Sequence, residues 1–203
     1  MTNLNEAGPV APNFDEFFSK LALRTPTMKM AVQLMLNRKP KTLIETGTMR
    51  PHISGELNWR GDGCSTVLFS VLAEYLDADF WTVDISEESI KFAAANTNKP
   101  AYFIVEDSIK FLKEFDKPID FLYLDSYDFD PKNPRPAQEH NLNEYKAAED
   151  KLHQNSILMI DDSHGTLEYP SGKAGLTTHH LLKNGWVCLM YAHQALFVRK
   201  KVT

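Results

Sequence analysis

The chain has 203 residues, 43% hydrophobic and 24% charged, which fits one globular domain with a full core. Its 22 basic and 27 acidic residues give a net charge of -5, which argues against a nucleic-acid-binding surface. Two cysteines are too few for a disulfide framework and favour a reducing compartment. No signal peptide or membrane-spanning apolar run is visible, so we expect a cytoplasmic protein without a membrane partner.

The chain begins with two helical patterns. "NFDEFFSKLAL" is helical in character, and "TPTMKMAVQLMLNRK" predicts a clearer helix, with Thr25 as its N-cap and Pro26 at its first position. The apolar face of this helix would consist of Met28, Ala31, Val32, Met35 and Leu36. We therefore predict an N-terminal helical segment, residues 1–40, packed on a domain of residues 41–203.

Apolar runs then alternate with helical patterns. Runs typical of buried parallel strands are "KTLIET", "DFWTVDI", "AYFIVE", "IDFLYLD" and "SILMIDD". The helical patterns between and after them are "CSTVLFSVLAEYL", "SEESIKFAAAN", "SIKFLKEF", "AQEHNLNEYKAAEDKLH" and "AGLTTHHLLKN". Two further strands, "WVCLMYA" and "ALFVRKK", are close enough for a hairpin around His193-Gln194. The alternation predicts an α/β, Rossmann-like, doubly wound seven-stranded sheet, mostly parallel with a C-terminal antiparallel hairpin.

Three irregular stretches follow predicted strand ends, at residues 49–60, 126–137 and 163–172. Ligands bind at the carboxyl ends of strands in open α/β sheets, so we place the site there. The first stretch, "MRPHISGELNWR", is inserted into a turn that normally needs only a few residues. We interpret it as a lid over a bound cofactor that helps to shape the acceptor pocket, the alternative being a variable surface loop.

The first strand and its turn suggest an anion-binding element. Glu45 ends the strand, Gly47 permits close backbone approach, and Gly63 and Ser65 open the next helix. The free N–H groups at that helix start could hold a carboxylate or a phosphate. A plain strand–helix turn would contain the same residues, so this motif alone is weak.

The residues at the ends of the second and third strands predict a binding pocket for adenosine. Asp84 ends the second strand, where an acid typically accepts hydrogen bonds from both ribose hydroxyls. Asp107 and Ser108 end the third strand and could meet the adenine amino edge. The alternative is that Asp84 and Asp107 only cap the helices that follow.

From about residue 41 onward the chain resembles the class I S-adenosylmethionine-dependent methyltransferases. The resemblance rests on "ETGT…GDGCST", "VDIS", "EDSIKFL", "IDFLYLDSYD" and "ILMIDDSH", in that order. It implies S-adenosylmethionine as cofactor, with Gly47, Gly63 and Ser65 at its amino-acid end and Glu45 as a further contact. More narrowly, the chain looks like the metal-dependent catechol-type and sugar O-methyltransferases. Those carry an Asp after the fourth strand and an Asp-Asn or Asp-Asp pair after the fifth.

The matching residues here are Asp125, Asp161 and Asp162. Three carboxylates at neighbouring strand ends suit a hard divalent cation, here Mg²⁺, which prefers oxygen ligands. Such an ion would hold the acceptor hydroxyl and lower its pKa. The alternative is that Asp161 or Asp162 caps the following turn and binds no metal.

The proton acceptor departs from the family pattern. The catechol type has a lysine three residues after its first metal-binding Asp, and Asp128 stands there in this chain. We therefore consider Asp125, Asp128 and His164 as catalytic bases, and His164 has the unperturbed pKa nearest to neutrality.

The predicted function is O-methylation of a small hydroxylated molecule; homodimer formation is left open. One alternative is a nicotinamide-dependent oxidoreductase, although the glycines do not form a compact G-x-G-x-x-G. A second alternative is a nucleotide-sugar binder that uses "DFD" (128–130). A third is a non-catalytic binding module of the same fold.

Overall fold

A computed structural model of the protein describes residues 11–200, so the ends of the two predicted segments, 1–10 and 201–203, lie outside the described residues. The helices are α1 (Phe14–Phe18), α2 (Thr25–Arg38), α3 (Ser65–Leu76), α4 (Glu87–Asn96), α5 (Ser108–Glu114), α6 (Arg135–Ala148) and α7 (Gly175–Lys183). The strands are β1 (Thr42–Thr46), β2 (Asp79–Asp84), β3 (Tyr102–Val105), β4 (Ile119–Leu124), β5 (Leu152–Ile160), β6 (Ser163–Gly165), β7 (Pro170–Gly172), β8 (Trp186–Tyr191) and β9 (Ala195–Arg199). Short 3₁₀ turns occur at Ala22–Arg24 and Glu149–Lys151.

Seven of these strands form one sheet in the order β3-β2-β1-β4-β5-β9-β8. Strands β1 to β5 pair in parallel, and β9 runs antiparallel to both β5 and β8. The predicted fold class is confirmed, including the C-terminal hairpin. Strands β6 and β7 form a separate two-stranded ribbon inside the loop predicted at 163–172, and this ribbon was not predicted.

Helices cover both faces of the sheet, which explains why the central strands read as continuous apolar runs. All five residues of β1 are buried. Leu43 packs into a core with α2 and α3, whereas its neighbour Ile44 packs into the opposite core with α5, α6 and α7. Because side chains alternate along a strand, one short apolar run supplies both cores.

The N-terminal helices differ from the prediction in detail. The first is only five residues long, and the chain then turns through a 3₁₀ segment in which Ala22 has a positive φ of 49°. Thr25 is the first residue of α2 and not its N-cap: its hydroxyl donates to the carbonyl of Phe18. Helix α2 then buries Met28 and Met35 against the sheet, as its apolar face predicts.

The carboxyl ends of β1, β2 and β4 are held together by backbone hydrogen bonds just beyond the strands. Gly47 N donates to the Val83 carbonyl at 2.8 Å, and Asp125 N donates to the Thr46 carbonyl at 2.9 Å. At Gly47 φ is 77°, and a Cβ there would lie 2.7 Å from the Asp125 carbonyl oxygen. Glycine therefore lets the first turn approach the fourth strand closely.

Within residues 11–200, every helix is too short or too polar to span a lipid bilayer.

Candidate active site

A cavity of about 460 Å³ opens at the carboxyl ends of the parallel strands, the edge predicted for the site. It has the size of a small-molecule pocket. Sequence-predicted site residues on its wall are Gly47, Asp84, Asp107, Ser108, Asp125, Asp128, Asp161 and Asp162. Arg24, Arg50, Tyr127, His140 and Lys173 also line it and were not predicted as site residues. The strand-end acids therefore do converge on one space, although they are far apart in the sequence.

Asp84 is oriented by two backbone amides. Its Oδ2 accepts from Thr48 N at 3.1 Å, and its Oδ1 accepts from Ser86 N at 2.7 Å. Ser86, not Asp84, caps helix α4, because the Ser86 hydroxyl accepts from Ser89 N. Each carboxylate oxygen of Asp84 keeps capacity for a further hydrogen bond, as a ribose diol requires.

Asp107 both lines the cavity and caps a helix. Its Oδ1 accepts from Lys110 N at 2.9 Å at the start of α5. Beside it, Ser108 Oγ lies 3.3 Å from His140 Nε2, and this nitrogen is also 3.0 Å from Ser126 Oγ. The capping interpretation therefore holds for Asp107 without removing it from the cavity wall.

His140 belongs to a polar network that sequence patterns did not reveal. Ser126 Oγ donates to Glu144 Oε1 at 2.6 Å, and His140 Nε2 lies 3.6 Å from the same oxygen. Burial disfavours protonation of His140, but the Glu144 carboxylate outweighs it and raises the His140 pKa. Tyr127 packs against the His140 ring at 5.2 Å between centroids. The cavity thus has a wall with an aromatic ring and hydrogen-bonding groups at the end near Asp107.

Glu45 and Ser65 contact each other and lie outside the set of residues that line the cavity. Glu45 is fully buried, and its carboxylate accepts from the hydroxyls of Ser65 at 2.5 Å, Thr66 at 2.7 Å and Thr82 at 2.8 Å. Burial raises the Glu45 pKa to about 7, and the hydroxyl bonds partly oppose this. The predicted cofactor contact is corrected for both residues: their side chains tie the start of α3 to β1 and β2.

Gly63 is also outside the set of residues that line the cavity, and its cofactor contact stays a prediction. Its φ is 81°, and a Cβ on it would lie 3.0 Å from Cδ of Arg24. Gly61 and Asp62 line the cavity in its place. The absence of a side chain at Gly63 therefore leaves room for the buried Arg24.

Arg24 pairs with Asp161 in the floor of the cavity. Arg24 Nη2 donates to Asp161 Oδ2 at 2.7 Å, and Arg24 Nε donates to Oδ1 at 3.1 Å. The two side chains are 8% and 1% exposed. Burial opposes ionisation of Asp161, but the guanidinium outweighs it and lowers the Asp161 pKa.

Lys173 supplies a second buried cation. Its ammonium donates to Asp125 Oδ1 at 2.9 Å and to the Asp125 carbonyl at 3.1 Å, and it lies 3.2 Å from Asp162 Oδ2. The Lys173 side chain is 4% exposed, and its carboxylate partners raise its pKa despite burial. Burial and the charge of Asp161 raise the Asp125 pKa, which Lys173 partly counteracts.

The predicted magnesium ligands converge but do not fit a divalent ion. Both oxygens of Asp161 accept hydrogen bonds from Arg24, Asp125 Oδ1 accepts one from Lys173, and Asp162 Oδ2 forms an ion pair with the same ammonium. A dication about 4 Å from either permanent cation would be repelled by about 8 kcal/mol at an effective dielectric constant of about 20. This arrangement of charges therefore disfavours the metal role of the three acids, which stays a prediction.

A different set of ligand atoms, on Asp161, Asp162 and His193, lies within 4.8 Å of one another. This set includes Asp161, whose carboxylate is already engaged by the guanidinium. Asp162 Oδ1 and His193 Nε2, 3.7 Å apart, are its remaining donors. Two donors beside two fixed cations make a poor site for a hard dication.

The other two predicted bases lie in less favourable positions. Asp128 is 84% exposed and pairs with Arg50 at 2.8 Å, so its carboxylate is engaged at the cavity mouth. His164 lies outside the main cavity and lines a neighbouring space of about 460 Å³. Phe129, whose ring is 5.1 Å from that of His164, forms the facing wall.

The insert is fastened at both ends. Arg50 N donates to Asp62 Oδ2 at 2.8 Å, and the Arg50 guanidinium contacts both Asp62 and Asp128. Trp59 packs on Phe17 of α1 at 6.0 Å between centroids. His52, at the tip, is exposed and bonds to Ser54. Of the insert at 49–60, Arg50 lines the cavity, and the tip does not.

No family model matches the chain, and no curated protein matches it. Similar solved structures include the O-methyltransferase NovP, with 12% identity and a TM-score of 0.60 over 88% of this chain and 80% of that one. The MycE methyltransferase of the mycinamycin pathway, in complex with Mg and SAH, has 15% identity and a TM-score of 0.61. That match covers 95% of this chain, which spans just over half of MycE, 56%.

Magnesium protoporphyrin IX methyltransferase from Synechocystis PCC 6803, with bound SAH, has 16% identity and a TM-score of 0.51. That match covers 95% of this chain and 90% of that one. At these identities the likeness concerns the fold. The strand order, the reversed C-terminal hairpin and the strand-end cavity agree with it: the chain has the fold of the class I S-adenosylmethionine-dependent methyltransferases.

Proposed function

We propose that the protein is an S-adenosylmethionine-dependent methyltransferase that acts on a hydroxyl group of a small molecule. The observation that carries this proposal is the single cavity that holds Asp84, Asp107 and Ser108 together with Asp125. The first three provide hydrogen-bonding groups for an adenosine, and Asp125 provides a carboxylate for proton transfer. Cofactor binding and chemistry would then share one space.

Asp84 is suited to the ribose because both of its oxygens are already aimed by backbone amides. Near the adenine end, Ser108 and His140 offer hydrogen-bonding groups, and Tyr127 offers an aromatic face. Gly47 lines the same cavity, and its lack of a side chain lets the turn after β1 lie close to the Asp125 backbone. Bound S-adenosylmethionine would supply an activated methyl group on a sulfonium.

Asp125 is the best-placed proton acceptor of the three predicted bases. Its Oδ1 is held by Lys173, and its Oδ2 lies 3.4 Å from the Tyr123 hydroxyl, a distance that leaves this oxygen weakly engaged. The raised pKa of Asp125 suits a base that works near neutral pH. The acceptor hydroxyl would pass its proton to Asp125 as its oxygen bonds to the methyl carbon and the carbon–sulfur bond breaks.

The acceptor would approach over the loop at 126–137. Asp128 and Lys173 line the main cavity, and their chain neighbours Phe129 and Gly172 line the second space. Among the described residues, those that line the second space include Phe129, two prolines and His164 and no carboxylate, lysine or arginine. An acceptor with a planar, mainly apolar body and one reactive hydroxyl matches this surface.

Isothermal titration with S-adenosylhomocysteine and with NAD⁺ tests the proposal. We expect the first to bind, and Asp84→Asn to weaken it by about 10- to 100-fold, because a charge-assisted hydrogen bond contributes about 1.5–3 kcal/mol. Asp79→Asn is the matched control, since Asp79 lies at the opposite end of the same strand. Preferential binding of NAD⁺ would contradict the proposal and favour an oxidoreductase.

A further inference from the structure

We propose that Lys173 and Arg24 are built-in cations that take the place of a divalent metal ion in this site. The inference deepens the proposed function, because it concerns how the strand-end acids are held for methyl transfer. It rests on the pairing of all three acids, Asp125, Asp161 and Asp162, with buried basic side chains. The site would accordingly work without added metal.

The Lys173 ammonium has three protons and three oxygen neighbours, two on Asp125 and one on Asp162. Its backbone is fixed as well, because Lys173 N donates to the Asp162 carbonyl at 2.9 Å. The β6–β7 ribbon ends at Gly172 and so places Lys173 directly beside these acids. The ammonium bridges two of the three predicted metal ligands, as a metal ion would.

Arg24 engages the third acid and the glycine turn. Besides its two-point contact with Asp161, its Nη1 donates to the Gly61 carbonyl at 3.1 Å. Gly63 provides the space for this side chain. The guanidinium therefore joins the end of β5 to the turn after β1, across the floor of the cavity.

Both basic groups are positioning residues. The ammonium donates two hydrogen bonds to Asp125 and forms an ion pair with Asp162, and the guanidinium is engaged through all three nitrogens. Their effect is to balance the charge of the acids and to fix Asp125 with its Oδ2 as the less engaged oxygen. Removing the ammonium would free one oxygen each of Asp125 and Asp162, and oxygen ligands of that kind attract divalent cations.

Mn²⁺ binding, measured by electron paramagnetic resonance without any cofactor, tests this inference. For the wild-type protein we expect a Kd above about 1 mM, and for Lys173→Met binding at least about tenfold tighter. Lys183→Met, at the exposed end of α7, should behave as wild type. Asp162→Asn combined with Lys173→Met removes a freed ligand and should abolish the gain.

Lys173→Met leaves two acids without their cation, so circular dichroism must establish that it is folded. If it is unfolded, the wild-type protein decides the question: its melting temperature should move by less than about 1 °C in 1 mM Mn²⁺ or in chelator. Tight Mn²⁺ binding by the wild type, a larger shift, or a folded Lys173→Met without gain would overturn the inference. These readouts need no S-adenosylhomocysteine, so failure of the proposed function would be seen separately, in the cofactor titration.

Discussion

Arg24 and Asp161 are 137 positions apart and form a two-point ion pair with a shortest N–O distance of 2.7 Å. Both side chains are almost completely buried. The pair joins the 3₁₀ turn before α2 to the carboxyl end of β5. The N-terminal helices thus contribute directly to the floor of the candidate active site.

Replacing Arg24 with Met should lower the free energy of unfolding by about 3–5 kcal/mol, because it leaves a buried carboxylate without its partner. Arg135→Met is the matched control: Arg135 pairs with Glu139 one helical turn away, and both side chains are more than half exposed. That pair should contribute only about 0.3–0.5 kcal/mol. Urea unfolding measures both, and equal losses would contradict the assignment of a buried pair.

The sequence predicted the sheet and the strand-end acids because each has a local pattern. Buried parallel strands such as β4, "IDFLYL", are mainly apolar, and ligand-facing polar residues follow where such a run stops. Asp84 and Asp125 were found in this way. Their convergence follows from the topology, since parallel strands end at the same edge.

Arg24 and Lys173 were missed because nothing local distinguishes them from surface cations. Each is a single basic residue in an irregular segment, and its burial depends on partners far away in the chain. The β6–β7 ribbon was missed because three-residue strands such as "PSG" have no hydrophobic alternation to detect. Glu45 was misassigned because a buried acid and a ligand-binding acid look alike at a strand end.

The buried carboxyl of Glu45 predicts how the free energy of unfolding depends on pH. Its pKa is about 7 in the folded protein, against an ordinary 4.5, so the folded state holds the proton more tightly. Its contribution to stability is complete below about pH 4.5 and declines by about 3 kcal/mol as pH rises through 7. The wild type should therefore lose stability relative to Glu45→Gln over this interval.

Unfolding free energies at several pH values between 4 and 8 measure this difference. Glu114→Gln, at an exposed position on α5, should run parallel to the wild type across the range. A wild type that gained stability relative to Glu45→Gln as the pH rose would show that the sign is wrong.

Gly47 should be intolerant of alanine for two separable reasons. Its positive φ costs a side chain about 1–2 kcal/mol, and a Cβ would also collide with the Asp125 backbone at 2.7 Å. Gly185 has nearly the same φ, 78°, but nothing within 4 Å of the added Cβ. Gly47→Ala should thus be less stable than Gly185→Ala by about 1–3 kcal/mol, the usual cost of overpacking. Equal melting temperatures would argue against the close approach.

Arg50 tests the lid interpretation of the insert. It links the insert to Asp62 and to Asp128 at the cavity mouth, yet it is 56% exposed, so Arg50→Met should cost less than about 1 kcal/mol of stability. If the insert covers the cofactor, S-adenosylhomocysteine should dissociate several-fold faster from this variant. Stopped-flow dissociation measures it, with Arg60→Met, an exposed arginine of the same insert, as control. An unchanged rate would favour a plain surface loop.

Asp125 should dominate the acid side of the pH–rate profile. A general base works when ionised, and burial with the charge of Asp161 raises its pKa, so turnover should rise with pH above the range of an ordinary carboxyl. Asp125→Asn should lower kcat by about 10²- to 10⁴-fold and leave S-adenosylhomocysteine affinity within a few-fold of wild type. Asp116→Asn, exposed between α5 and β4, is the control for loss of one negative charge. The pH dependence of methyl transfer to a panel of small phenols and alcohols tests this prediction. If Asp125→Asn kept the wild-type kcat, Asp125 would not be the base.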